Sequence, residues 1–391
     1  MKLLRLFSPL LPTALLLPIA AGYAAPAPTH GKYLFFVGTY TQEGSASKGI
    51  YAYRYDAASH EITDLGVAAE TTNPSFLALS PNGKYLYAVN ELQTYKGTNS
   101  GGVSAFSVDS STGKLTFFNE VPSRGADPCY ITVDKTGKWV LVANYTGGSV
   151  AVFPALADGK IGDAKTFVQH TGHGADPKRQ EGPHAHSINL SPDNRFAYVD
   201  DLGLDELLIY KFDAAQGTLT PSDPPYVKLD PGSGPRHFVL APSGKFAYVV
   251  SEMKGTVTVF SIDSRTGTPH TLQTVSTLPE GFKGDVEDAE VQILPSGKFL
   301  YASNRGDGNS IAVFAIDSAK GTLTPVEYTS TQGRTPRSFE IDPTGTLLFA
   351  QNQQSNNIVI FKINQETGKL TATGKVLDVP SPVDVKFLGA E

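Results

Sequence analysis

Apolar and polar residues alternate with a period of two along short stretches of this chain, as in KYLYAVN (84–90) and VSAFSVD (103–109). A strand buries one face with that spacing, whereas a helix of about 3.6 residues per turn does not. Each stretch sits in a larger block: a Pro, a short apolar strand, a Pro-x-Gly-Lys turn, an aromatic-rich strand and a polar residue. Residues 74–90 carry the block in full: Pro74 leads SFLALS, Pro81-Asn82-Gly83-Lys84 makes the turn, and YLYAV runs into Asn90. The turn recurs at Gly137-Lys138, Asn194-Arg195, Gly244-Lys245, Gly297-Lys298 and Gly345-Thr346, and Gly31-Lys32 stands in its place in the first unit. Positions equivalent to Lys84 are therefore 32, 84, 138, 195, 245, 298 and 346, seven units of about fifty residues. A further strand such as GGVSAFSVD (101–109) or SIAVFAID (310–317), a Thr-Gly or Lys-Gly turn, and a strand opening Lys-Leu-Thr or Thr-Leu-Thr bring each unit to four strands. That is one propeller blade, so the pattern predicts an all-β, seven-bladed β-propeller with four-stranded antiparallel blades. The first unit lacks the Pro-led strand, and SPVDVKFL (381–388) supplies one with no unit after it. The N- and C-terminal strands are predicted to share a blade, closing the ring and removing an exposed sheet edge.

Composition agrees: 38 Gly, 27 Pro, 17 Tyr and 21 Phe with 18% charged residues suit many short strands joined by turns. Residues 1–24 read differently. Lys2 and Arg5 precede an apolar run over residues 10–20 and small residues follow through Ala25, the pattern of a cleaved secretory leader. The run is short for a membrane span and is interrupted by Pro12 and Pro18. The expectation is a soluble periplasmic protein whose residues 25–391 form the propeller, with no membrane insertion after cleavage. The formal net charge of −6 becomes more negative once Lys2 and Arg5 leave, which argues against nucleic acid or an anionic membrane as partner. With the single cysteine Cys129 there is no intramolecular disulfide, so stability falls to packing and strand pairing.

The repeat also works as a coordinate system. Counted back from Pro81 and its equivalents in the turn, the residue after Pro74 and its counterparts face the channel mouth: Ser75, Cys129, His186, Arg236, Ala289, Arg337 and Val383. A second ring follows the polar residue ending strand two: Thr39, Glu91, Tyr145, Leu202, Glu252, Arg305 and Gln353. Among small and apolar equivalents, an ionisable side chain is costly unless it is satisfied or used. That singles out His186, Arg236, Glu252, Arg305 and Arg337. His184 lies two residues before His186 and so on the same strand face. The longest interval, 57 residues, also falls here, in a loop carrying His170, His173, Arg179 and Gln180. Other readings compete. Two imidazoles with Glu252 form a conceivable zinc-type site, the histidines can simply tie down the loop, and Arg337 can be an ordinary salt-bridge partner. The acidic run Asp285, Glu287, Asp288 and Glu290 lacks calcium-loop spacing and reads as a solvated linker. No nucleophile elbow, P-loop or dinucleotide fingerprint stands in its structural context, and no base is placed for Cys129.

The strings Arg179-Gln180-Glu181-Gly182-Pro183-His184-Ala185-His186, Gly234-Pro235-Arg236-His237, Ser251-Glu252 and Asn304-Arg305 resemble the seven-bladed propeller lactonase family, over essentially the whole mature chain. That family includes bacterial 6-phosphogluconolactonases, a periplasmic gluconolactonase branch and fungal carboxymuconate-lactonizing enzymes. The resemblance implies a sugar lactone as small-molecule substrate and a catalytic set of His186, Arg236, Glu252 and Arg305, with no metal or other cofactor. His184, Arg179 and Arg337 are expected to bind substrate. Because phosphorylated sugars are normally cytoplasmic, the leader favours D-glucono-1,5-lactone; the alternative is 6-phosphogluconolactone. A reading of a different class is a non-catalytic propeller binding a protein or cell-envelope ligand on its faces.

Overall fold

The computed structural model describes residues 31–389; the expected leader, residues 1–24, lies outside them. Twenty-eight strands form seven four-stranded antiparallel sheets, and the only helical element among the described residues is a 3-10 turn at Gln353–Ser355. Numbered along the chain, the first strands of blades 2 to 7 are Leu77–Leu79, Pro128–Val133, Ala185–Leu190, Pro235–Leu240, Asp288–Ile293 and Pro336–Ile341. In blade 1 the first strand is Pro382–Leu388, paired antiparallel to Lys32–Thr39 with Leu34 opposite Leu388 and Val37 opposite Val385. The expected closure by the two chain ends is therefore observed. The first strands touch their neighbours in succession around the whole ring, which makes them the wall of the central channel.

The repeated residues each have a structural task. The tight turn between strands one and two brings Gly83, Gly137, Asn194, Gly244, Gly297 and Gly345 into the left-handed region, which explains why Gly or Asn recurs there. The aromatic residues of strand two stitch blade to blade. Tyr198, Tyr248 and Tyr301 each donate a hydroxyl hydrogen bond, at 2.8–2.9 Å, to the carbonyl of the turn glycine in the next blade, Gly267, Gly321 and Gly368 respectively. Trp139 does the same through its indole N–H to Ala214. The polar residue ending strand two reaches back one blade: Asn90, Asn144, Asn304 and Asn352 donate to the carbonyls of Thr72, Ser123, Thr277 and Thr331. The apolar core is correspondingly divided into seven clusters, each lying between two adjacent blades.

Candidate active site

The channel mouth is built by one irregularity repeated around the ring. In blades 1, 3, 4, 5 and 7 the pairing of strands one and two skips one residue: Val383, Cys129, His186, Arg236 and Arg337. In blade 6 the two residues Ala289 and Glu290 oppose the single residue Ser303. A β-bulge leaves its extra residue out of the ladder and re-aims the side chain. In six of the seven blades the first ring read from the sequence thus sits at a bulge; in blade 2 the ladder begins at Leu77, beyond Ser75. Adjacent side chains at a bulge can also share a face, which lets His237 join Arg236 at the channel. The second ring holds except in blade 1. There Thr39 pairs with Pro382, the place Asn144 takes opposite Pro128, so the ring residue is Tyr40 and not Thr39. Thr39 spends its hydroxyl on the Gly49 carbonyl, 2.6 Å away.

Glu252 is the hub. Its Oε2 accepts from Arg236 Nε at 3.0 Å and is ion-paired with Arg305 Nη2 at 2.8 Å, while Oε1 accepts from Arg179 Nη2 at 2.5 Å. Burial alone would raise its pKa, but the guanidiniums of Arg305, Arg236 and Arg179 outweigh that and hold it down to about 2. Arg236 is 2% exposed; burial, together with Arg305 and Arg337 nearby, lowers its pKa to about 10, which leaves it cationic at neutral pH. Its Nη1 also donates to the Ala289 carbonyl at 2.7 Å. Arg305 Nη2 reaches the Asp288 carbonyl at 3.3 Å, and Arg305 Nε is buried with no partner among the described residues, a donor with capacity to spare.

His186 is buried, its ring packed edge-on to Tyr145 and to His237 at 5.5 and 5.2 Å between centroids. Burial first, then Arg236, His237 and Arg337, lower its pKa well below that of an ordinary histidine, so the ring is neutral. Its Nδ1 lies 3.7 Å from the Cys129 sulfur, and that thiol points at the His186 carbonyl at 3.3 Å. Burial, reinforced by Glu91, raises the thiol's pKa, which disfavours a thiolate. His184 does share the mouth, but as wall: it stacks on Tyr145 at 4.6 Å, with Nδ1 against the Tyr145 carbonyl and Nε2 3.3 Å from Glu181. The alternative in which both histidines and Glu252 hold a metal meets a carboxylate already engaged by three guanidiniums. No group of three His, Cys, Asp or Glu suited to a metal occurs among the described residues.

Arg179 comes from the long loop of blade 4, fixed by its neighbour Gln180. The buried Gln180 amide donates to the Leu202 carbonyl and to Asp205, and accepts from the backbone of Ala175 and Asp176. Across the mouth a second carboxylate, Glu91, accepts from Tyr40 at 2.8 Å and from Ser75 at 2.5 Å. Arg337 stands over the Tyr40 ring, 5.3 Å from its centroid, and 3.8 Å from Glu91. The ordinary salt bridge considered for Arg337 is present but long. Ser75, Glu91, Cys129, Arg236, His237 and Arg337 border a common cavity of about 10 Å³, the room of one water.

Sequence reasoning missed Tyr40, His237 and Glu290. The acidic run is also corrected: Asp288 and Glu290 are buried on the first strand of blade 6, and Glu290 sits 3.1 Å from His237 Nδ1. Only Asp285 of that run is exposed in the manner of a linker.

Comparison with known proteins agrees with this architecture. Residues 34–387 match the family model described as lactonase, 7-bladed beta-propeller. A 6-phosphogluconolactonase of Bacillus subtilis is 37% identical over 357 residues, covering 91% of this chain and 99% of the relative. One of Formosa agariphila is 39% identical over 343 residues, covering 86% and 94%. The structure of a periplasmic gluconolactonase of Pseudomonas aeruginosa superposes with a TM-score of 0.85 at 34% identity, covering 92% of this chain and all of that one. With its blades, its matched span and its relatives in agreement, the chain belongs to the seven-bladed β-propeller lactonase family.

Proposed function

We propose that the protein hydrolyses D-glucono-1,5-lactone to D-gluconate at this mouth, as an exported, periplasmic enzyme. The observation that carries the reading is a neutral imidazole, His186, close enough to Arg236 to feel its charge, with Arg236 sharing one buried carboxylate, Glu252, with the guanidiniums of Arg179 and Arg305. Lactone hydrolysis needs both parts. As water attacks the carbonyl carbon, a proton leaves the water and negative charge gathers on the carbonyl oxygen; the ring C–O bond then breaks and its oxygen takes up a proton. His186 accepts the first proton and returns it to the ring oxygen. Its depressed pKa makes it a modest base, so the larger share of barrier lowering falls to the arginines.

Glu252 takes one nitrogen from each guanidinium, and Arg236 Nη2 has no protein partner among the described residues. The remaining N–H groups of Arg236 and Arg305 are the donors for the oxyanion and then for the product carboxylate. Arg179, Arg337 and His184 line the mouth as substrate contacts. No metal or other cofactor enters this scheme.

A second substrate has an observation in its favour. Four arginines at the mouth, Arg179, Arg236, Arg305 and Arg337, face two carboxylates, Glu91 and Glu252, leaving a surplus of positive charge that suits a phosphorylated lactone. The leader-like residues 1–24 favour the unphosphorylated one. One assay tests both: purified protein is given each lactone and loss is followed against the spontaneous rate, with and without EDTA. Faster decay of gluconolactone, insensitive to EDTA and with the larger kcat/KM, is expected. A larger kcat/KM for the 6-phosphate transfers the assignment to that substrate, and decay of both at the buffer rate favours the non-catalytic, ligand-binding propeller.

A further inference from the structure

Arg236 is held on its far side by a buried chain that the scheme above leaves unused. Its Nη1 is 3.3 Å from His237 Nε2, and His237 Nδ1 is 3.1 Å from Glu290 Oε2. Glu290 is held in turn: Oε2 accepts from Ser338 Oγ at 3.1 Å, and Oε1 from the Val291 backbone N–H at 3.0 Å. His237 is 3% exposed, with Phe76 and Tyr130 packed edge-on to its ring at 5.7 and 5.2 Å between centroids. We propose that His237 and Glu290 form a positioning dyad that fixes the orientation of Arg236 for catalysis.

The direction of each bond follows from the partners. A guanidinium only donates and a carboxylate only accepts, so the imidazole between them must accept at Nε2 and donate at Nδ1. That is one tautomer of the neutral ring. The burial of His237, which lowers its pKa to about 4 even against the opposing pull of Glu290, is consistent with it. The arrangement answers a geometric need. Glu252 holds Arg236 only at Nε, and rotation about that contact would swing Nη2 away from a reacting carbonyl. With Nη1 anchored on both the Ala289 carbonyl and His237, the plane of the guanidinium is set. The bulge is what makes the contact possible, because it turns the consecutive residues Arg236 and His237 toward one channel. A packing role alone would favour an apolar ring here, since buried ionisable groups are a costly way to fill space.

The inference rests on the lactonase reading, and its test separates the two. In the full-length protein, His237→Phe keeps the volume and the edge contacts but removes both hydrogen bonds, His237→Gln restores an acceptor near Nε2, and His237→Asn does not reach it. If the dyad positions Arg236, His237→Phe lowers kcat by about 10- to 100-fold with KM changed less than about threefold, and His237→Gln recovers most of that loss while His237→Asn does not. Glu290→Leu behaves like His237→Phe, and the double variant is no worse than either alone.

A merely structural ring gives the reverse order, with His237→Phe the best tolerated, and that result overturns the proposal. Nitrogen-15 NMR of the histidines supplies a readout independent of substrate: protonated Nδ1 and bare Nε2 at His237 are expected, and the opposite tautomer overturns the dyad. If the unsubstituted protein turns over neither lactone, the functional reading fails while the tautomer still decides the geometry.

Discussion

At the scale of single residues, the site is a balance between burial and charge. Glu252 is ionised despite burial because three cations surround it, and His186 is neutral because burial, with Arg236, His237 and Arg337 nearby, disfavours an imidazolium. A depressed histidine pKa extends the neutral form into acid, so kcat/KM is expected to hold as pH falls through 6.5 and to drop only well below it. An acid limb centred at pH 6.5 contradicts the environment described for His186. Replacing His186 by Ala is expected to lower kcat by about 10²- to 10⁴-fold. Glu252→Gln leaves three guanidiniums without their shared counter-charge. It is expected to destabilise the protein by about 3 kcal/mol, read from the denaturant midpoint, because breaking a buried ion pair strands the remaining charges. The residues legible in the sequence, His186, Arg236, Glu252, Arg305 and Arg337, stood out because most of the other positions in their two rings are small, apolar or uncharged; Glu91, ionisable in the same ring as Glu252, is the exception. Tyr40 did not, because the position in blade 1 was counted one residue early; Thr39 holds the place of Asn90, a correspondence that could have supplied the right register. His237 and Glu290 were invisible for a different reason. Only the bulge brings them to the channel, and nothing in a single strand's alternation announces a bulge.

At the scale of elements, turns and strand-two aromatics are one device. The glycine of the outer turn accepts from the tyrosine of the preceding blade, and it also lies against an aromatic ring of that blade. At Gly321 the φ is +74°, and an added Cβ would stand 2.3 Å from the Phe246 ring. Neither strain has an easy release, since the ring is itself packed between blades 5 and 6. Gly321→Ala is therefore expected to cost about 2 to 4 kcal/mol, measured by chemical denaturation. Gly66, also at positive φ but with open space around the same added atom, isolates the backbone cost, and Gly66→Ala should lose only about 1 kcal/mol. Equal losses at the two positions would show that the inter-blade contact adds nothing. This level was largely legible, because seven copies of a turn average out the ambiguity of any one. The long loop of blade 4 had no second copy, and its order around Gln180 came only with the fold.

At the scale of the whole molecule, closure depends on two strands at opposite ends of the chain. Lys32–Thr39 and Pro382–Leu388 form a local ladder that carries Val383 and Val385 into the core, yet they lie about 350 residues apart. Bringing the ends of so long a chain together costs about 5 kcal/mol of loop entropy, so the other blade interfaces must already be formed for the closing ladder to be favourable. The ring should therefore close last and open first. If the chain is ended after Val379, blade 1 loses its inner strand, one core cluster loses Val385, and the edge of Lys32–Thr39 lies open. Such a chain is expected to melt at a lower temperature and to self-associate in proportion to its concentration. A synthetic peptide of residues 380–389 should pair with the open edge and reverse both effects, by the same hydrogen bonds that the intact chain makes internally. The same peptide should restore activity, because Val383 belongs to the ring that borders the cavity beside Arg236 and His237. A truncated chain that melts like the intact one, or a peptide that changes nothing, would mean that six complete blades hold the ring without its clasp.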